Sequence, residues 1–564
     1  MTVDELFKQA YALQCEGKLA EAINSYGEAL KLDPDHSPSL HFLGIAYAQI
    51  GELQTAITFL RQALYLEPKN ANFHNNLANV YKNAQQTAKA IEHYQEAIRL
   101  NPGYAQAHHN LATVYAAQNS YKDALEHYRL AVHAEPDFVA AHFNLGLLLL
   151  KNNQLKAAKT QFKNVLTLNP ENSDAAFYSG VLCLEANELD EAEHHFHKVL
   201  TQDSNQIQAI TNLGVIALKR EQGQLAVDFF SRALVVDNNY IEARNNLAAI
   251  FMHYDRFENA LMHYDVLLKQ EPGNIEYLYN SGVAQMALGH LSEAMFHFEK
   301  LLDIDKCHFP SLNNLAAIYI RLEDKEKAKT LLQRALAANP KDASSRHMLN
   351  ALTGDKLTTE ASPEYAQNLF NNYALYYDQH MKDQLHYSLP QQIARVIYNL
   401  ELNNLARVVD LGCGTGLTGI VLRDICQHLT GVDLAAKMLA QAREKGIYDQ
   451  LIESDLLRFI SENKELYQLA TAADVLPYLG NLDDLFAALK KRLAPEGYFI
   501  FTTEISKDQP WQLQSTARFS HHPDYISQLC LKNALKLVHQ EQVTGRQQNN
   551  DALPVMLYVA QNST

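Results

Sequence analysis

The sequence predicts an all-α superhelical solenoid of helical hairpins followed by a doubly wound α/β domain with a seven-stranded sheet. Three observations carry that prediction: a 34-residue period through the first 340 residues, a polar break near residue 350, and alternating apolar strands and helices beyond it. The period is marked by Ala22, Ala56, Ala90, Ala124, Ala158, Ala192, Ala226, Ala260, Ala294 and Ala328. Twelve residues upstream of each stands a second small residue: Ala10, Gly44, Ala78, Ala112, Gly146, Gly180, Gly214, Ala248, Gly282 or Ala316. Small residues at two fixed places let antiparallel helices approach closely. Four residues past each alanine of the first series comes a large apolar side chain, from Tyr26 and Leu60 to Phe298 and Leu332, expected to fill the gap between neighbouring pairs. Prolines such as Pro34 and Pro102 close seven of the units, because they cannot continue a helix.

This pattern resembles the tetratricopeptide repeat, in ten units over residues 3–342. A single unit cannot bury its apolar face alone, so the resemblance implies a right-handed stack with a concave groove. Residues 343–354 begin an eleventh first helix and stop at Gly354, as a capping helix does. Two residues before the small Gly or Ala stand Asn76, Asn110, Asn144, Asn212, Asn246, Asn280 and Asn314. Two residues turn about 200° around a helix, which aims these side chains away from the packed face and into the groove. A carboxamide both donates and accepts, so the ladder is expected to bind the backbone of an extended peptide. It looks like the asparagine ladder in the repeat domain of O-linked N-acetylglucosamine transferases. The alternative role is bonding between adjacent repeats. The ladder lapses at Lys8, Phe42 and Tyr178, which places a peptide track mainly between the third and tenth units. The histidines, His93 and His194 among them, are expected on second helices near the outer face, not as metal ligands.

Residues 355–363 are rich in Thr, Ser and Pro and form the expected linker to a second domain over 364–564. Helices are expected over 364–381 and 389–400, and strands over 407–411, 429–433, 451–453, 469–474, 498–502, 535–541 and 555–560. The last two strands have only "VTGRQQNNDALP" between them and should pair as an antiparallel hairpin.

The stretch "RVVDLGCGTGLTG" is a strand ending in Asp410, then Gly412, Gly414 and Gly416, then a helix. Such a turn lies at the carboxyl edge of a sheet, where these folds bind ligands, and its glycines let a ligand approach the backbone. The next strand closes on Asp433, whose carboxylate can accept from both hydroxyls of a ribose. A dinucleotide fingerprint would need a glycine where Leu417 stands; the spacing here is GxGxG. Together with "GVDLAAKML" and "ESDLL", this is similar to the Rossmann-like class I S-adenosylmethionine-dependent methyltransferases, over nearly all of 364–562. The resemblance implies S-adenosylmethionine as cofactor and demands no metal. It also assigns roles. Gly412, Cys413, Gly414 and Gly416 would cradle the methionine part and Asp410 would orient its ammonium. Asp433 would hold the ribose, Leu434 would pack on the adenine, Asp455 would take its exocyclic amine and Leu456 would cover the ring. Ala473, Asp474 and Tyr478 would stand beside the methyl group. In "FNNYALYYDQHM", Tyr373 or Tyr377 would close over the cofactor carboxylate, the alternative being that they pack against the sheet. Methyl transfer needs an aligned nucleophile and, for some acceptors, a base. Asp474, Tyr478 and His521 are the candidates, with Glu504, Arg518 and His522 nearby in sequence. For each histidine the alternative is a surface-loop imidazole, and the single tryptophan, Trp511, could cap the acceptor pocket or pack on the core.

A closer resemblance, carried by "DVLPYLGNLDDLF" and "RFSHHPDYI", is to predicted bacterial methyltransferases with repeat domains. The "NPPY" motif is absent, since the fourth strand reads "ADVLPY", which argues against amide and exocyclic nitrogen acceptors. A net charge of −16 argues against nonspecific binding to nucleic acid or an anionic membrane. Six scattered cysteines without a CxxC pair fit a reducing compartment. With no basic N-terminus and no long apolar run, a bacterial cytoplasmic location is expected, unconventional secretion aside. The expected function is methyl transfer with a protein or peptide partner bound in the groove; the alternative is an adaptor whose methyltransferase fold is non-catalytic.

Overall fold

The computed structural model describes residues 1–354, 358–374, 377–383, 385–548 and 551–563. They form two compact units, Met1–Leu267 and Leu268–Thr564.

The first unit is built from helix pairs in which 13-residue and 14-residue helices alternate, beginning with Val3–Cys15 and Leu19–Leu32. The two series of small residues meet here. A methyl placed on Gly214 would lie 2.7 Å from the Phe230 ring, and on Gly146 2.9 Å from Phe162. The large apolar residue therefore packs on the glycine of its own pair, and Phe162 also stacks on Tyr178 of the next pair, 5.4 Å between centroids, as expected of a residue between neighbouring pairs. Size is matched across that contact: Gly146, Gly180 and Gly214 face Phe, whereas Ala10, Ala78, Ala112 and Ala248 are paired in the sequence with Tyr. The tyrosine hydroxyls find partners on the paired helix, Tyr26 on Gln14 at 2.8 Å and Tyr94 on Asn79 at 2.6 Å.

His93 and His194 lie on second helices as expected, but other histidines do not. His74, His108 and His142 are buried on first helices. Each places Nε2 on the carbonyl of a proline six residues earlier, at 3.2, 3.0 and 2.9 Å. The Nδ1 atoms of His74 and His108 meet His93 and His127 of the paired helix at 3.0 and 2.9 Å, a place taken by Gln161 opposite His142.

The second unit begins with two more helix pairs, Ile275–Ala287 with Leu291–Ile304 and Phe309–Arg321 with Lys325–Ala338, and a capping helix, Ala343–Thr353. The α/β part has strands β1 (Leu405–Leu411), β2 (Cys426–Asp433), β3 (Gln450–Glu453), β4 (Tyr467–Ala472), β5 (Leu493–Ile505), β6 (Trp511–Leu513), β7 (Phe519–His521), β8 (Leu535–Gln548) and β9 (Asp551–Asn562). The five parallel strands run in the order β3-β2-β1-β4-β5. Both faces are covered, as parallel strands require. Val408, Leu469 and Ile500 pack against the helix Leu389–Asn399, while Val409, Phe499 and Phe501 pack against Phe459, Phe486 and Ile526.

Among the described residues nine strands replace the seven expected. The antiparallel hairpin β8–β9 is present, but its strands run into the segment that looked like a loop. The two additional strands are β6 and β7. Glu504 pairs with Val555 of β9 and with Ser520 of β7, so β7 takes the edge of β5 that β4 occupies only as far as Phe501. The predicted helix over 364–381 is two helices, Pro363–Tyr373 and Tyr377–Asp383.

The expected linker is bonded to the α/β part where it is described. Gly480 N–H donates to the Thr359 carbonyl at 2.9 Å and Ala361 N–H to that of Tyr478 at 3.0 Å. Positions 355–357 lie outside the described residues. The β6–β7 hairpin packs on the capping helix: Leu513, Ala517 and Phe519 are buried with Ala351, and Trp511 and Tyr365 flank them. His347 Nε2 sits 3.0 Å from the Ala517 carbonyl.

Candidate active site

β1 passes into the glycine turn with the backbone N–H groups of Gly412 and Cys413 both donating to Val432, at 2.8 and 3.0 Å. Gly412, Gly414 and Gly416 have φ of +68°, +54° and +92°, the left-handed region that glycine adopts without strain. Their surroundings differ. A side chain on Gly412 would collide with Val475, whereas one on Gly414 meets nothing within 4 Å. The Cys413 thiol is buried, which pushes its pKa well above the ordinary value and keeps it protonated.

Beneath the turn lies Tyr448, a residue the sequence did not single out. Its ring fills the space that Cβ atoms on Gly416, Gly419 and Gly431 would need. Its hydroxyl donates to Asp410 Oδ2 at 2.7 Å, and Thr471 donates to Oδ1 at 2.8 Å. Asp410 is thus held inside the sheet by both oxygens, and burial pushes its pKa up to about 6 against the pull of those bonds.

At the end of β2, Asp433 accepts on Oδ2 from Gly414 N–H at 2.9 Å and on Oδ1 from Ala435 N–H at 2.8 Å. Burial raises its pKa while these backbone donors act in the opposite sense. Each oxygen keeps acceptor capacity for a ligand. Asp455 caps the helix Leu456–Glu462 through Arg458 N–H at 3.0 Å. Leu434 is tethered by its carbonyl to Gln367 at 3.2 Å, and Leu456 packs on the core beneath.

The helix Tyr377–Asp383 reaches the glycine turn through Asp378. Asp378 accepts from the Thr415 hydroxyl and pairs with Lys445 at 2.5 Å, and Lys445 also donates to the Thr415 carbonyl at 2.7 Å. Tyr373 and Tyr377 stand edge to face, 5.0 Å between centroids, and Tyr373 bonds His380. Burial pushes the Tyr377 hydroxyl well above its ordinary pKa.

Beyond β4 is an almost buried charge cluster. β4 ends at Ala472, two residues short of the expectation; Ala473 packs against the core and Asp474 turns into the left-handed region with φ of +56°. Asp474 Oδ1 receives Arg518 Nη2, and Oδ2 lies 3.4 Å from Arg546 Nη1. Glu504 Oε1 is 2.7 Å from Arg518 Nε and 3.8 Å from Arg546 Nη2. Arg518 Nη1 donates to Tyr478 Oη at 3.0 Å. Burial works against the charge on Arg518, but Asp474, Tyr478 and Glu504 outweigh it and hold its pKa well above the usual arginine range.

His521 is not on a surface loop. It is fully buried on β7 with Nε2 3.1 Å from the Gly480 carbonyl and no partner for Nδ1, and burial pulls its pKa down to about 4. Of the three candidate bases, Asp474 and Tyr478 are engaged by Arg518 and His521 is enclosed. His522 caps the helix Pro523–Lys532 through Asp524 N–H at 3.1 Å. Among the described residues no group of three or more His, Cys, Asp or Glu could hold a metal ion.

On the repeat helices, Asn76 and Asn144 place Nδ2 on His41 and His109 of the preceding repeat, at 3.1 and 2.9 Å. Asn110 donates to Asn75 and Asn79, both at 3.1 Å. Asn212 and Asn246 instead donate to carbonyls of their own helices, Gln208 at 2.9 Å and Glu242 at 2.7 Å. Asn314 bonds Tyr279, and Asn280 is half-buried.

Models of the tetratricopeptide repeat match residues 16–80, 71–104, 93–126, 112–153, 143–207 and 285–352, and a methyltransferase-domain model matches 376–538. The chain joins tetratricopeptide repeats to a methyltransferase domain. That domain is 29% identical over 158 residues to malonyl-[acyl-carrier protein] O-methyltransferase of Enterobacter lignolyticus, covering 27% of this chain and 62% of that one. It is 30% identical over 112 residues to nodulation protein S of Rhizobium tropici, covering 19% and 46%. With trans-aconitate 2-methyltransferase of Paracidovorax citrulli it shares 28% over 117 residues, 20% and 45%. The chain thus spans about half to two thirds of the length of these relatives. Among solved structures it is similar to YrrB, described as a TPR protein with an unusual peptide-binding site, at 24% identity, 33% of this chain, 96% of that one and TM-score 0.32. It is also similar to the N-methyltransferase NodS of Bradyrhizobium japonicum in complex with S-adenosylhomocysteine, at 20%, 35%, 99% and TM-score 0.29. No helix among the described residues is long and apolar enough to cross a membrane.

Proposed function

We propose that the methyltransferase domain binds S-adenosylmethionine at the β1 and β2 ends and transfers its methyl group, and that the repeats bind a protein or peptide partner. The observation that carries this is Asp433, a buried carboxylate fixed by Gly414 and Ala435 N–H groups, with acceptor capacity left on each oxygen beside the open side of Gly414. When bound, the cofactor supplies an electrophilic methyl on a sulfonium. Asp433 would hold its ribose, Asp455, Leu434 and Leu456 its adenine, and the turn from Gly412 to Gly416 its methionine part. Asp410 would act on that part only through the backbone, since both its oxygens face Tyr448 and Thr471. The relatives' names, all methyltransferases or a nodulation protein, support methyl transfer as the chemistry.

Partner binding rests on Asn212 and Asn246 of the first unit. Both keep their carboxamide oxygens clear of the bonds to their own helices, and so have an acceptor to offer a peptide N–H.

Isothermal titration of the full chain with S-adenosylhomocysteine tests the catalytic proposal. Binding is expected, and Asp433→Ala, losing two charge-assisted bonds, should weaken it at least about tenfold with the circular dichroism spectrum unchanged. A folded wild type that gives no heat would leave the adaptor role. Asn212 and Asn246 changed together to Ala should weaken partner capture and leave cofactor affinity as it was.

A further inference from the structure

Building on the proposed methyl transfer, we propose that the acceptor is a carboxylate and that Arg546 is the residue that binds it. The first support is that none of the three candidate bases, Asp474, Tyr478 and His521, stands free. Asp474 and Glu504 both accept hydrogen bonds from Arg518, the Tyr478 hydroxyl accepts from the same guanidinium, and His521 is enclosed against the Gly480 carbonyl. An amine, a phenol or a carbon acid must lose a proton during or before transfer. A carboxylate is already an anion at neutral pH.

The second support is the difference between the two arginines. Arg518 directs all three of its nitrogens at the cluster, Nε at Glu504, Nη1 at Tyr478 and Nη2 at Asp474. Its geometry is fixed. Arg546 stands 3.4 Å from Asp474 and 3.8 Å from Glu504, longer than the ~2.7–2.9 Å of a charge-assisted bond. Its planar fork is therefore loosely held and can turn to a ligand, and paired donors in one plane match a carboxylate. The third support is where Arg546 comes from. The β8–β9 register shifts between Thr544 and Arg546, and such a bulge re-aims a side chain relative to its strand.

Charge accounting agrees. The two arginines balance Asp474 and Glu504, so an anionic acceptor is opposed by no net negative charge, and the donor's sulfonium is its counter-ion. One carboxylate oxygen forms the new C–O bond, the donor's methyl C–S bond breaks with its electron pair left on sulfur, and no proton moves. The ester has lost the charge that Arg546 recognises, which favours its release.

Two measurements on the full chain decide the matter. In the first, a lysate of the source cells is incubated with the protein and S-adenosylmethionine tritiated in the methyl group, and the products are treated with base. Methyl esters release volatile labelled methanol; methylamines, ethers and C-methyl groups do not. Base-volatile label is expected, and base-stable label or none overturns the proposal. In the second, the chain saturated with S-adenosylhomocysteine is titrated with ¹³C-succinate and followed by NMR line broadening. Wild type should bind succinate at least about tenfold more tightly than Arg546→Gln, with Arg546→Lys between them. Equal broadening in wild type and Arg546→Gln overturns it. Binding of S-adenosylhomocysteine separates the two levels: with it, a failure concerns the acceptor alone; without it, methyl transfer itself fails.

Discussion

Gly412 and Gly414 are two residues apart and share a left-handed backbone, yet they face different things. Gly412 packs on Val475, so Gly412→Ala adds a collision to the backbone strain and should cost about 3 kcal/mol of stability in denaturant unfolding. Gly414 faces open space, so Gly414→Ala should cost only about 1 kcal/mol while lowering affinity for S-adenosylhomocysteine at least about tenfold. Equal effects of the two substitutions on both readouts would mean that the turn cradles nothing. Asp410 carries a pH signature. Its pKa of about 6 lies above the ~3.9 of a free aspartate, so between these values the folded chain holds a proton that the unfolded chain has released. Stability therefore falls as pH rises through about 4 to 6 and stays lower above, by an amount on the order of 2–3 kcal/mol. Asp410→Asn removes that dependence: its stability relative to wild type should rise between pH 4 and pH 8 in urea titrations. A difference that is the same at both ends would show that Asp410 does not titrate there.

At the scale of elements, the repeat helices carry a pH dependence of the opposite sign. Asn76 donates to Nε2 of His41 and Asn144 to Nε2 of His109, which requires that nitrogen to be bare, and burial pulls His41 down to about 4 and His109 in the same direction. Below pH ~6.5 the unfolded chain takes up protons that the folded one refuses, so stability is lost as pH falls from about 6.5 towards 4, by about 2 kcal/mol for His41 at pH 5. Hydrogen exchange of the helices Ser37–Gln49 and Ala71–Asn83, corrected for intrinsic rates, should show protection falling between pH 7 and pH 5, and His41→Gln should flatten that response. An unchanged slope in the variant would assign it to other groups. The same elements show what can be read from a sequence. The repeats were legible because one pattern recurs at a fixed spacing, and β1, β2 and the glycine turn because burial and ligand approach each demand particular residues there. β6 and β7 were not, since three residues cannot display an alternation. "SHHPD" resembles a polar loop, yet its first histidine lies in the core. Tyr448 gave no signal beyond the surplus glycines 416, 419 and 431 that make room for its ring, and Arg546 was hidden in a segment with the composition of a loop.

At the scale of the molecule, the α/β part and the helices before it make contacts within one unit. Leu268–Thr564 is one compact unit that holds two helix pairs, the capping helix and the α/β part. The contacts are specific: His347 on the Ala517 carbonyl at 3.0 Å, Lys325 on Ser515 at 3.2 Å, and the Thr359 carbonyl receiving both Gly480 and Asn481 N–H at 2.9 and 3.0 Å. Each is worth about 1 kcal/mol, and Ala351 adds apolar cover to Leu513, Ala517 and Phe519. Residue 518, one step beyond Ala517, is the arginine that organises Asp474, Glu504 and Tyr478, so whatever steadies the β6–β7 hairpin steadies the acceptor side of the site. Two fragments separate this arrangement from one in which the α/β part is self-sufficient. Residues 268–564 should unfold cooperatively and bind S-adenosylhomocysteine. Residues 364–564, lacking His347, Ala351 and Thr359, should be less stable by about 3–4 kcal/mol, with the emission of Trp511, the only tryptophan, shifted to the red as its hairpin is uncovered. Identical emission and identical unfolding of the α/β part in both fragments would show that the capping helix contributes nothing to the site; a red shift reproduced by Ala351→Asp in the full chain would place the effect in that one contact.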